Sequence, residues 1–504
     1  MSYYLGIDEG TTGVTALIFD SDFRPIARGY RRITQHYPRA GWVEHDAEEV
    51  FRCLVDAVGD ALQKSGISPE EILAVGIDHE GETALALSKK TGKPLSFAIV
   101  WQDRRTAKRA SELKETFGNL FLEKTALQPD AYFSATKWEW ILQHSEEARA
   151  LQKSCDLMLC NMDAYFAWRL TGGKSYMTDA STASRTLLYN VKKGCWDREL
   201  CELFGIAPAS LPEVGDSMRF FGFTDPTVLH GIKAPITALL NDQQAALLGQ
   251  GCVKEGAMKT TYGTGCFMLL NTGDTPILSR QGLITTVAWQ HAGKRSFALD
   301  GGIFVAGAAT NWLRDNLGLI SSAAETEALA LSVEDNGGVY FVPAFSGLST
   351  PYRDPYATGT IVGLTQQTTK AHLVRATLEA TAYQVCDLAR AMQEDSGISP
   401  TLLRCDGGAT AKRFLMQFQA DMLGLPVAVP ACAEATARGT ALAAAIGLGN
   451  ATLETALEFN DTLTVYEPKI SEDERKTRLA TWHRAVSRAK EWYLPLKEER
   501  AILE

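Results

Sequence analysis

The chain has 504 residues, 45% of them hydrophobic and 22% charged, a length for two or three domains and the composition of a globular protein. A formal net charge of −10 argues against a nucleic-acid role, and no apolar run approaches the ~18 residues of a membrane span, so no membrane insertion is expected. Ten cysteines without a Cys-x-x-Cys pair, eight histidines without metal-ligand spacing and an N-terminus without a signal-peptide pattern predict a cytoplasmic protein with reduced thiols.

In chain order, Tyr4 to Asp20 reads as two apolar strands around Gly10-Thr-Thr-Gly13, and Ile26 to Ile33 as a third strand. Asp46 with Glu49 three residues on predicts a capping box, opening an amphipathic helix through Val50, Leu54, Val58 and Leu62. Ile72–Ile77 is a buried strand ending at Asp78-His79-Glu80-Gly81-Glu82, and Ala98–Trp101 a short one ending before a salt-bridged or solvated cluster, Arg104, Arg105, Lys108 and Arg109. Pro235–Leu240 is a further strand, and Asp242 either caps the helix that follows or serves as an acid held ionised by its N-terminus. The pattern restarts near Gly249–Glu255, dividing the chain into domains 1–249 and 250–504. Beyond it come Met258–Leu270 as strand, turn and strand, a strand near Ser296–Leu299, and helices from Ala306, around His372–Met392, over Arg413–Leu423 and over Thr436–Gly449. A last amphipathic helix carries Leu479, Trp482, Val486, Ala489 and Trp492. Strands alternating with helices make the fold α/β, with the site at strand C-ends.

Three Gly-rich turns recur, at Gly10–Gly13, Gly263–Gly265 and Gly407–Thr410. Glycines let backbone N–H groups approach an anion and threonine hydroxyls add donors, while Asp8 at the mouth of the first turn suits a phosphate that carries Mg2+. Three such turns point to one nucleotide held from several sides.

The ordered motifs Gly41-Trp42-Val-Glu-His-Asp46, Tyr132 to His144, Asp242-Gln-Gln-Ala-Ala, Thr261-Tyr-Gly-Thr264-Gly-Cys-Phe267-Met, Gly359 to Leu364 with His372 to Glu379, and Phe414-Leu-Met-Gln-Phe-Gln carry a family resemblance. The chain resembles the FGGY carbohydrate kinases over most of its length, most closely their glycerol kinase branch. The resemblance implies two RNase-H-like domains, of the actin and hexokinase type, flanking an interdomain cleft. It implies ATP and Mg2+ as cofactors and a primary hydroxyl of glycerol as acceptor. Asp242 would be the general base and, with Asp8, a Mg2+ contact. Thr11, Thr12, Gly13 and Thr264 would surround the phosphates, and Gly307, Asn311 and Gly408 would lie along the nucleotide. Glu82, Trp101, Tyr132, Gln243 and Phe267 would line the polyol pocket, with apolar C–H faces against the rings and hydroxyls on the polar groups.

Departures from the family pattern gather at this site. Gly81 replaces the Arg before the pocket Glu, which removes a multi-donor contact and leaves space. Glu9 replaces a Gln, Thr15 an Arg, Asn241 a Gly and Lys412 an Asn on the nucleotide side, and Asp78-His79-Glu80 replaces neutral residues. Thr15 and Lys412 bear on ATP affinity, Gly81 on the choice of polyol. The alternatives are a kinase for another small polyol or ketose, an inactive ligand-binding homologue, or a chaperone-type ATPase. The last is disfavoured because an added peptide-binding domain is lacking. The partner is a small-molecule polyol or sugar, and homo-oligomer formation stays open.

Overall fold

The structure is a computed structural model that describes residues 2–432, 434–459 and 463–493. Its frame is two mixed sheets. The first is built from β1 (Tyr3–Gly10), β2 (Gly13–Phe19), β3 (Pro25–Arg32), β4 (Ile72–His79), β5 (Met218–Phe223) and β6 (Pro235–Asn241), in the order β5-β6-β4-β1-β2-β3. Helix α1 (Ala47–Ser65) covers one face, and α2 (Asp242–Gly249) leaves the end of β6. The second sheet uses β7 (Met258–Tyr262), β8 (Cys266–Gly273), β9 (Ile284–His291), β10 (Lys294–Ile303), β11 (Leu403–Asp406), β12 (Val427–Pro430) and β13 (Leu463–Tyr466), in the order β9-β10-β8-β7-β11-β12-β13. Helices α3 (Gly307–Asp315), α4 (Lys370–Ser396), α5 (Arg413–Leu423), α6 (Ala435–Leu448) and α7 (Glu472–Ala489) complete this half.

The two sheets repeat one plan. In each, an antiparallel run of three strands (β3-β2-β1, then β10-β8-β7) meets two parallel strands (β4 and β6, then β11 and β12). The Gly-Thr turn therefore recurs at the same place in both halves, between β1 and β2 and between β7 and β8.

Alternation along β1 decides which side chains meet which layer. Leu5 and Ile7 join Val50, Leu54 and Val58 of α1 in one core, whereas Tyr4 packs with Ala441 and Leu442 of α6. Helix α6, from the second half of the chain, lies directly on the first sheet. A Cβ on Gly6 would stand 2.4 Å from the Ala437 carbonyl oxygen, and one on Gly76 2.3 Å from that of Thr440. Helices α2 and α6 cross with their backbones in contact, since a Cβ on Gly249 would meet the Ala435 oxygen at 1.9 Å and one on Gly439 the Ala245 oxygen at 1.9 Å. Leu269, Trp289 and Ala298 of the second sheet share this core, so the helix pair is a layer common to both halves.

Several expectations are revised in detail. Asp46 caps α1 by accepting from the Glu48 N–H, but the Glu49 carboxylate accepts from Thr34 and closes no box. The Ala98 strand stops at Ile99. The final helix ends at Ala489; Trp482 is fully buried and donates to Asp387, while Trp492 lies beyond the helix and is exposed. In the basic cluster, Arg105 pairs with Asp103 and Glu44 and stacks on Trp42, and Arg109 pairs with Glu139.

Gly439→Ala is expected to lower the unfolding free energy by about 1–3 kcal/mol, the usual cost of overpacking. A fall in the urea midpoint at unchanged slope is the readout, and an unmoved midpoint would show that the helix crossing tolerates a methyl group.

Candidate active site

The ends of β1, β4 and β6 are neighbours, and each delivers a carboxylate. Asp8 stands opposite Asp78 in the parallel register, and Asp242 is the first residue of α2, one beyond the end of β6. Asp78 accepts from the Thr440 hydroxyl on α6, and its Oδ1 has no hydrogen-bond partner. Burial, reinforced by Asp242, pushes the Asp8 carboxyl up to about 7. Burial and then Asp8 push Asp78 well above the usual carboxylate range. Burial raises Asp242 to about 6, opposed by hydrogen bonds from Gln243 and the nearby Lys259 ammonium. Three carboxyls sunk together, one with a spare oxygen, have the charge and donor chemistry that a divalent cation satisfies. The Asp242 oxygens accept from the Gln243 backbone N–H at 2.6 Å and its side-chain amide at 3.1 Å. The N-cap of α2 is Asn241, so the carboxylate of Asp242 is free of capping duty.

Glu82, Trp101, Tyr132, Gln243 and Phe267 gather beside Asp242. Trp101 meets Tyr132 edge-on at 5.6 Å between ring centroids and Phe267 at 6.4 Å. Arg185 organises the polar side, with Nε donating to Glu82 at 2.5 Å, Nη2 to the Tyr132 hydroxyl at 3.1 Å and Nη1 to Asp300 at 2.8 Å. Sequence reading missed Arg185, since a single Arg within Ser-Thr-Ala-Ser-Arg-Thr carries no spacing signal. In the sequence Asp78 stands out only as a departure from the family pattern. His79 bonds Thr182 through Nε2 and accepts from the Gly81 N–H through Nδ1, with burial holding its pKa down at about 4.

The phosphate-type turns flank this cluster. Thr11 accepts from the Trp101 indole at 3.0 Å, Thr12 is exposed, and a Cβ on Gly13 would meet the Tyr30 hydroxyl at 2.5 Å. Thr15 is buried on β2 and accepts from Arg28, whose guanidinium also pairs with Glu434 at 3.0 Å. A guanidinium thus lies beside Thr15 although the Arg is absent from that position. Across the cleft, the Thr264 carbonyl accepts from Ala306 and Ala308, and that of Gly263 from Gly307, which opens α3. A Cβ on Gly307 would fall 2.6 Å from the Gly263 oxygen, so only glycine allows this approach. Asn311 is exposed on the same helix, one turn on. Thr261 is paired with Asp406 in the register, which sets the Gly407–Gly408 turn against Tyr262, and Gly408 faces open space. Lys412 is half-buried at the N-cap of α5, and its charged neighbour is Glu327. Two contacts tie the walls together: Lys259 Nζ donates to Gln243 Oε1 at 2.7 Å, and Arg185 bridges to Asp300.

One expectation fails outright. Gly81 leaves no free space, because a Cβ there would stand 2.2 Å from Asn241 Nδ2, and its φ of +86° suits glycine. The Asn241 carboxamide fills the corner, so the two departures are one paired exchange.

Residues 3–249 match the N-terminal domain, and residues 258–448 the C-terminal domain, of the FGGY family of carbohydrate kinases. The chain belongs to this family. A glycerol kinase of Carboxydothermus hydrogenoformans is 47% identical over 492 residues, covering 97% of this chain and 98% of that protein. Glycerol kinase 2 of Thermotoga maritima is 45% identical over 494 residues, covering 98% and 99%. The crystal structure of Plasmodium falciparum glycerol kinase with ADP superposes with a TM-score of 0.92 at 32% identity, covering 98% and 99%. A xylulose kinase from Rhodospirillum rubrum, 23% identical, shares the FGGY fold at a TM-score of 0.84, covering 96% of this chain and 98% of its own.

The Gly81–Asn241 pair is testable as a double-mutant cycle. Gly81→Arg alone is expected to lower stability by about 1–3 kcal/mol through overpacking and positive-φ strain. Gly81→Arg with Asn241→Gly should recover at least half of that loss in thermal or urea unfolding; strict additivity would deny the pairing.

Proposed function

We propose that this FGGY kinase transfers the γ-phosphate of ATP to a primary hydroxyl of glycerol, giving glycerol 3-phosphate and ADP. The observation that carries the reading is the placement of Asp242 between a carboxylate cluster suited to Mg2+ and an aromatic wall whose polar edge is held by Arg185. Mg2+, when bound with ATP, supplies charge neutralisation on the phosphate oxygens. Asp8 and Asp242 would hold it, with Asp78 behind them.

The chain's own residues do the rest. Asp242 accepts the proton of the attacking hydroxyl, and Gln243 orients it through both its backbone and side-chain donors. Trp101 and Phe267 offer flat faces to the C–H groups of a short polyol, while Glu82, Tyr132 and Arg185 offer hydrogen bonds to its hydroxyls. The threonines and backbone amides of the turns at Thr11–Gly13 and Gly263–Thr264 would supply the donors for the phosphates. The corner filled by Asn241 favours a small acceptor over a bulkier polyol or ketose. Ten cysteines, all free, accord with work in the cytoplasm. Among the described residues no helix is long and apolar enough to cross a membrane.

ADP release measured with glycerol, erythritol, dihydroxyacetone and pentuloses tests the substrate. Glycerol should give the highest kcat/KM, and strong turnover of another member with none of glycerol would reject the reading. Asp242→Asn should lower kcat by roughly 10²–10⁴, the usual worth of a general base, with folding intact; an unchanged kcat would remove Asp242 from that role.

The pH profile has a fixed sign. Asp242 accepts a proton only when ionised, so kcat should fall as pH drops through about 6, the value burial gives its carboxyl. Added Mg2+ favours the ionised form and should move this acid limb to lower pH. A limb that ignores Mg2+ would assign it to another group.

A further inference from the structure

On the opposite face of β1 from Asp8 lies a second cluster that the phosphoryl-transfer reading does not use. Glu9 follows Asp8 and points to the α1 side of the sheet with Leu5 and Ile7. There it meets Glu80, just past the end of β4, and His45, just before the Asp46 cap of α1. One ligand atom from each of the three lies within 4.8 Å of the others. His45 and Glu9 are fully buried and Glu80 is 5% exposed.

Their hydrogen bonding is incomplete. Glu9 Oε1, Glu80 Oε2 and both ring nitrogens of His45 have no hydrogen-bond partner. Their partners are few on the Glu9 and His45 side: Glu9 Oε2 accepts from the Glu80 N–H at 3.4 Å, and His45 Nδ1 stands 3.5 Å from Glu80 Oε1, while Glu80 Oε1 accepts from the Thr83 hydroxyl at 2.5 Å and its carboxyl also lies against Thr11, Trp101 and the Lys137 ammonium. Two carboxyls and an imidazole, buried with ligand atoms within reach of one another and each keeping an atom without a hydrogen-bond partner, form an expensive arrangement unless a cation completes it.

We propose that Glu9, His45 and Glu80 form a divalent metal site separate from the Mg2+·ATP position. Two carboxylates with one imidazole suit a first-row transition ion such as Mn2+, Co2+ or Zn2+ better than the all-oxygen preference of Mg2+ or Ca2+. The ion ties together three segments: Glu9 leads the Gly10–Gly13 turn, Glu80 precedes Gly81 and Glu82, and His45 immediately precedes the Asp46 cap of α1. It therefore acts as a positioning element behind the phosphate turn. The Glu-for-Gln exchange at position 9 and the acidic run at Asp78–Glu80 become one feature, the assembly of a donor set.

The test uses the full chain, stripped with a chelator, loaded with Co2+ without nucleotide and desalted. One tightly held Co2+ per chain, with visible d–d absorption, is expected in the wild type and in Asp8→Asn, and loss of both signals in Glu9→Gln/Glu80→Gln. No retained Co2+ in the wild type, equal retention in the Glu9→Gln/Glu80→Gln variant, or loss only in Asp8→Asn would overturn the site. If the double variant fails to fold, pulsed EPR of the wild type loaded with Cu2+ decides. Coupling to one imidazole nitrogen supports His45 as a ligand, and all-oxygen coordination overturns it.

Discussion

The burial of three carboxyls side by side is the constraint on which this molecule turns. Asp8 and Asp78 lie on adjacent strands and Asp242 directly follows a third, so the sheet's own hydrogen bonding brings the three carboxyls together. The fold answers with Thr440 donating to Asp78, Gln243 donating to Asp242 and Lys259 approaching from the other half. None of these neutralises the group. Burial holds Asp8 and Asp78 toward their protonated forms, and a divalent cation at the strand ends would favour their ionised ones.

The second organising feature is mechanical. Helices α2 and α6 touch backbone to backbone at Gly249 and Gly439, and α6 presses on Gly6 and Gly76 of the first sheet. Asp242 opens one of these helices and Glu434 immediately precedes the other, so the base and the Arg28 anchor sit at the ends of a rigid pair. The site is thus fixed to the scaffold by contacts that admit no side chain.

Much of this was legible in sequence because the signals were local. Gly-Thr turns, the capping residue Asp46 and the exact span of Arg413–Leu423 are properties of neighbouring residues, and the rings of Trp101, Tyr132 and Phe267, grouped from the family resemblance, do lie in contact. What stayed hidden was long-range pairing. Arg185 is more than a hundred residues from both Glu82 and Asp300, and nothing in its own neighbourhood announces those partners. Gly81 looked like vacated room because its occupant, Asn241, lies far along the chain. Likewise Arg28 stands beside Thr15 only once the β2–β3 hairpin is formed.

The contact between Lys259 and Gln243 couples the candidate base to the facing half of the chain. Gln243 holds Asp242 through two donors, yet its own carbonyl is held at 2.7 Å by a lysine from the facing half. Any parting of the halves wide enough to break that contact loosens the base and withdraws a nearby cation from it at once. The hold on Asp242 and the contact between the two halves are thereby linked through one amide side chain.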